Sequence, residues 1–197
     1  MTGFILPPLV VEHDERWLDV PLRGDLRQWA KNTARDIAGR AGLKGRDERK
    51  LTGILEGAGE IAQRATDASM GLLLFPDIWE PIRAFVRFCP LDLAGTGSDE
   101  AWPAIRDSLL PDEPWEEPAE ITEFTTGAGL CHRIVRRQVT GEGSVRAVGE
   151  QLAYVWVFPQ YDAGVVMTTA FPNLGDAGRW RPALDELAAT AQLEGGQ

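Results

Sequence analysis

The stretch "GLCHRIVRRQV", residues 129–139, sets Cys131 beside His132 and follows them with Arg133, Arg136 and Arg137. Taken as a strand, it sends successive side chains to opposite faces of a sheet. Cys131 and His132 then cannot meet as nucleophile and base, whereas Arg133 and Arg137 share a face.

The flanks favour the strand. "TTGAG", 125–129, looks like a hairpin connection back to a strand at 121–125. Beyond the stretch, the turn "TGEGS" leads to "AYVWVFP", 153–159, and "QYDAG" leads on to "VVMTTAF", 165–171. Four consecutive strands joined by short turns are expected to pair antiparallel. Upstream, "LPDEPWEEPAE", 110–120, carries three prolines and five carboxylates and reads as an acidic loop over about 111–120.

Further towards the N-terminus the period changes. "IRAFVRFC", 82–89, alternates, with Arg83 and Arg87 on one face, and "GLLLF", 71–75, reads as a short buried strand. Leu26, Trp29, Ala30, Thr33, Ile37, Ala38 and Ala41 recur at helical spacing, with Asp25 as N-cap and Gly42 as terminator. A second helical stripe runs from Leu51 to Ala65, and its Gly53, Gly57 and Gly59 would let another element approach closely. "KGRDERK", 44–50, reads as a solvated connection between the two helices. "ERWLDVPL", 15–22, opens as a strand, and a short helix is expected over Ser98–Leu110, with Pro103 delaying its regular part. The tail through Trp180, Leu184, Leu187 and Ala191 reads as a last amphipathic helix with Pro182 in its first turn.

This order predicts an α+β fold, an antiparallel sheet of about six strands flanked by helices as an α/β/α sandwich. With 197 residues and no repeat or linker, a single domain 1–197 is expected, its helical segment at about 25–66. Hydrophobic residues at 44% and charged residues at 25% suit a globular chain with a sizeable core. The net charge of -10 speaks against nucleic acid, which needs a concentrated basic surface, and favours a protein partner with a basic patch. The opening "MTGFILPPLV" lacks a basic leader, and no apolar run approaches the roughly 20 residues of a membrane helix. A cytoplasmic protein without membrane contact is expected.

The strand order, together with "WLDVP" at 17–21, "LAYVWVFP" at 152–159, "VVMTTAFPNL" at 165–174 and "WRPALDELAATAQL" at 180–193, resembles the PsbP-like fold. That fold is shared by the photosystem II extrinsic protein, a Ran-binding nuclear import factor and small bacterial lipoproteins associated with secretion. The resemblance implies a non-catalytic binding or adaptor domain. Against it stand the absence of a lipidation cysteine, the paired helices near 25–66 and the acidic loop, and no functional residue transfers.

Each candidate site has a bland counterpart. Cys131 would need His13 for Cys-His chemistry; Cys89 and Cys131 otherwise read as buried free thiols. The serines lie in no G-x-S-x-G elbow, and no phosphate loop is present. "EHDE", 12–15, offers oxygen and imidazole ligands but has no second ligand cluster, so neither metal nor cofactor is expected. Arg83, Arg87, Arg133 and Arg137 either form a basic stripe that docks an acidic segment or pair across strands with Glu123 and neighbouring carboxylates. Trp115, among Asp112, Glu116 and Glu117, either anchors a basic partner surface or folds back onto the core; Trp79 poses the same choice.

The expectation is therefore a non-enzymatic protein–protein interaction domain: an adaptor, an immunity-like partner or an assembly component, with homo-oligomers open to it. The alternative is a small-molecule or lipid-binding domain with an aromatic pocket between a helix and the sheet face carrying Phe88, Trp156, Phe158 and Phe171.

Overall fold

The computed structural model of the chain describes residues 6–78, 82–110, 118–140 and 147–195. Asp112, Trp115, Glu116 and Glu117, with Trp79 and the turn at 141–144, lie outside the described residues. The fold is α+β, as expected: among the described residues there are four α-helices, a two-stranded ribbon and a seven-stranded antiparallel sheet. The chain divides into two compact units, one formed by Asp14–Phe88 and the other by Met1–His13 with Cys89–Gln197.

In the first unit, β2 (Trp17–Asp19) is followed by helices α1 (Leu26–Ala41) and α2 (Arg46–Gln63) and by β3 (Met70–Leu74). Asp25 caps α1 as read from the sequence: its carboxylate accepts from the Gln28 amide at 3.0 Å, satisfying a donor that has no partner within the helix. Gly42 ends the helix in the left-handed conformation, φ 67°, which glycine adopts without steric cost. The helix α2 starts earlier than the apolar stripe suggested. Arg46–Lys50, read as a connection, form its first turns, with Asp47 and Glu48 placed where the helix dipole favours negative charge. Of the three glycines, only Gly59 meets a neighbour: a Cβ there would stand 2.7 Å from Leu26 Cδ2 and 3.3 Å from Trp29, so its small size lets α1 approach. Ala30, Ala34, Ile37, Leu51, Leu55 and Phe75 form one core cluster here, and Val20, Ala62 and Leu73 another. The strand β4 (Ala84–Asp92) pairs with β3 and buries Ala84, Val86 and Phe88, as the alternation required.

The second unit contains α3 (Ser98–Leu109), β5 (Glu120–Thr126), β6 (Gly129–Thr140), β7 (Ala147–Phe158), β8 (Ala163–Phe171) and α4 (Leu174–Ala189). Two-residue strands β1 (Leu9–Val10) and β9 (Gln192–Leu193) make the ribbon. The order in the main sheet is β2-β3-β4-β8-β7-β6-β5, so β5 is an edge strand. The four strands expected to form consecutive antiparallel pairs do so. Thr126 faces Gly129 across a two-residue loop, and Gly129 takes φ 113°, a conformation that penalises any side chain.

The register assigns the faces in this unit. Glu150, Leu152, Tyr154 and Trp156 of β7 share a side with Cys131, Arg133 and Val135 of β6 and with Thr122 and Phe124 of β5. This side meets α4, whose Asp185 accepts from Tyr154. Ala153 and Val155 of β7, Ile134 of β6 and Val166 of β8 face the other way and pack with Ala101 and Ile105 of α3. Here the sheet lies between two helices, the layering expected from the sequence. Burying a large apolar side chain such as Leu152 or Val155 contributes about 1.5–3 kcal/mol relative to exposure.

Both proline expectations need correction. The helix α3 is regular from Ser98 and carries Pro103 inside it, and α4 begins at Leu174, so Pro182 sits mid-helix. The cause in α4 is the cap: Asn173 Oδ1 accepts from the Asp176 amide at 2.8 Å, starting the helix ahead of the first apolar repeat.

Candidate functional site

The two faces of the β5–β6 hairpin hold different chemistry. On the α4 face, Arg133 donates to both oxygens of Asp185, at 3.1 and 2.9 Å, and through Nε to Thr122 Oγ1 at 3.1 Å. Glu120 Oε1 stands 3.4 Å from its other guanidinium nitrogen. The Tyr154 hydroxyl donates to Asp185 Oδ1 at 2.7 Å, and burial followed by the Asp185 charge drives its pKa far up. One turn earlier on α4, Arg181 donates to both oxygens of Glu150, a carboxylate only 1% exposed, at 2.6 Å to Oε1 and 2.5 Å to Oε2. The bonds to Glu150 raise the Arg181 pKa and hold its charge. Buried charges persist only when paired and hydrogen-bonded, and these are.

Cys131 lies on this same face, fully buried, and its pKa is pushed up to about 12, first by desolvation. A thiol so protonated is a poor nucleophile. His132 lies on the other side, as the pleat requires, so the adjacent pair is separated. Its ring stacks on Trp102 of α3 with centroids 3.7 Å apart and planes 8° apart. Nδ1 is 3.0 Å from Glu123 Oε1, off the direction of a well-formed hydrogen bond. Desolvation lowers the His132 pKa and favours the neutral imidazole, while Glu123 pulls the other way by favouring the charged ring.

The arginines resolve individually. Arg133 is held by Asp185, Glu120 and Thr122, so its pairing is internal, but Glu123 has no part in it. The register explains why: Thr122 stands opposite Arg133 and Glu123 opposite His132, on the far face. Arg87 lies 3.3 Å from Asp67, and Arg137 faces Glu150 in the register. The strand β6 is flanked by β5 and β7, so the two arginine pairs do not occupy neighbouring strands. Arg136, singled out by no face argument, donates to Leu109 O at 3.0 Å and to Gln151. Asp185, Arg181, Glu150 and Trp102 escaped the sequence reading. Asp185 is 52 residues from Arg133, and no local pattern links them.

The side carrying His132 also carries exposed apolar groups. Leu130 is 50% exposed and Ile121 39%, and the register places both on this side with Glu123 and Thr125. The aromatic residues proposed for a pocket are instead packed: Trp156, Phe158 and Phe171 are at most 2% exposed, as is Phe88 in the other unit. In the Asp14–Phe88 unit an open cleft of about 340 Å³ is lined by Leu18, Ile37, Phe75 and Ile78, with Arg16 and Arg40. Among the described residues no three His, Cys, Asp or Glu side chains gather as a metal-ligand set, and no helix is long and apolar enough to cross a membrane. Comparison with known proteins finds no family model and no curated protein that matches the chain.

Proposed function

We propose that the chain is a non-enzymatic binding domain that recognises another protein through the β5–β6 hairpin and the acidic segment that precedes it. The observation that carries this reading is the pair Ile121 and Leu130, large apolar side chains left exposed on one side of an edge hairpin. Desolvating such groups favours association, and flanking charges speed encounter. Asp112, Trp115, Glu116 and Glu117 lie just upstream of β5 in sequence and supply an aromatic anchor with acidic neighbours. The paired state of Arg133 moves emphasis from the arginines to these acidic and apolar groups. Helices on both faces of an antiparallel sheet agree with the PsbP-like resemblance, which also implies an adaptor. Two buried free cysteines suit a reducing, cytoplasmic setting.

The test is copurification of the native protein with its partner. Trp115→Ala combined with charge reversal at Asp112, Glu116 and Glu117 should abolish the complex while circular dichroism and unfolding stay unchanged. Undiminished binding would remove the acidic segment from the site. The small-molecule alternative rests on the cleft at Leu18 and Ile37 and would be supported by a ligand retained in native mass spectrometry.

A further inference from the structure

Within that reading, and resting on it, the free edge of β5 defines the kind of segment the site accepts. An edge strand presents backbone donors and acceptors on its open side, and an extended chain can pair with them as an added strand. Among the described residues β5 pairs with β6 alone, and the strand order ends there. Seven residues, Glu120–Thr126, offer enough ladder for such a segment.

Side chains on the edge discriminate between occupants. On the α3 side the sequence along β5 is Ile121, Glu123, Thr125; on the α4 side Glu120 leads. The Glu120 and Glu123 side chains are each 56% exposed, so both carboxylates keep capacity beyond their contacts with Arg133 and His132. A second copy is disfavoured by register. Antiparallel self-pairing that uses all seven residues must place the central Glu123 opposite the Glu123 of the other copy, and like charges directly opposite are destabilising. Registers displaced by two residues relieve this clash only by giving up ladder pairs. An added strand with lysine or arginine opposite Glu123 and an apolar residue opposite Ile121 turns the same position from repulsive to attractive.

We infer that β5 accepts an extended, basic, proline-free segment of another protein as an eighth strand of the sheet, antiparallel to β5, with a cation opposite Glu123 and an apolar side chain against Ile121. Edge charges also serve to prevent aggregation, and that simpler role is what the experiment must distinguish.

The experiment measures amide hydrogen exchange by NMR on the full chain during titration with peptides matched to β5 in length. One heptapeptide carries lysine at its fourth position and valine at its sixth, so that antiparallel pairing along Glu120–Thr126 sets them opposite Glu123 and Ile121; a second has glutamate in place of that lysine, and a third is the lysine peptide with proline at its third position. The basic peptide should slow exchange at β5 edge amides, binding about tenfold more tightly than the acidic one, whereas the proline peptide should not bind. Glu123→Lys should reverse the preference; Glu123→Gln, less demanding of the fold, should remove it. Equal protection by both charged peptides, protection at amides elsewhere, or no protection at millimolar peptide would overturn the inference. Protection that grows with protein concentration alone would point to self-pairing and overturn it too. Failure here alongside loss of the copurifying partner in the Trp115 variant would leave the binding function standing and refute only the added strand.

Discussion

Glu150 of β7 holds Arg181 of α4, and Asp185 of α4 holds Arg133 of β6; the two carboxylates differ in what their loss should cost. Glu150 is 1% exposed while Arg181 is 27% exposed, so Glu150→Ala removes the buried half of a two-oxygen ion pair and empties its place, a loss on the order of 3 kcal/mol. The Asp185 side chain is 35% exposed and water can replace part of it; Asp185→Ala should cost about half of that, even though it serves both Arg133 and Tyr154. Urea unfolding of the two variants checks the order, and equal costs would contradict the burial argument. His132 gives a pH signature. Its folded pKa is lowered by burial, while the unfolded chain takes up its proton near the ordinary 6.5. The contribution is therefore fully present above that pH and is lost as pH falls through the folded value. His132→Phe, which keeps a ring against Trp102, should flatten the decline in stability as pH falls below the ordinary histidine value of 6.5; an unchanged slope would assign the decline to other groups.

At the scale of elements, the three α2 glycines look alike in the sequence and should behave differently on substitution. Gly53→Ala and Gly57→Ala meet nothing within 4 Å and should each stabilise by about 0.5–1 kcal/mol through helix propensity. Gly59→Ala must displace Leu26 and should gain less or destabilise; thermal unfolding that ranks Gly59→Ala level with the others would mean α1 is not in close contact there. What the sequence revealed at this scale follows a physical line. Strands with strict alternation, such as Ala84–Phe88, and helix ends with a capping side chain and a left-handed glycine, such as Asp25 and Gly42, were legible because the signal is local. The start of α2 was not, because "RDERK" has no apolar residue to set a period. The start of α4 was hidden behind Gly175, Gly178 and Pro182, which are poor helix formers overridden by tertiary packing. The ribbon strands are two residues long, too short to show any period.

At the scale of the molecule, strand order was only partly legible. Consecutive hairpins could be inferred, but β4 lying next to β8, and β5 at the edge, depend on long-range pairing that no window of sequence contains. The candidate site shared that limit. The pleat correctly separated Cys131 from His132, yet the partners of Arg133 arrive from α4 and from β5, and only the assembled register distinguishes Glu120 from Glu123. In the proposed binding function, the chain's charge of -10 supplies the long-range component. Association with a basic partner should slow as salt rises and the Debye length shrinks to about 10 Å near 0.1 M ionic strength, and a salt-independent rate would deny charge a role in encounter. The most direct measurement is photo-cross-linking in the native cell from a benzoylphenylalanine placed at Leu130, with Gln160 as an exposed control position. The expected result is one discrete cross-link to another protein from Leu130, absent from Gln160 and weakened by Trp115→Ala; no cross-link, or the same products from both positions, would contradict a binding surface at the hairpin.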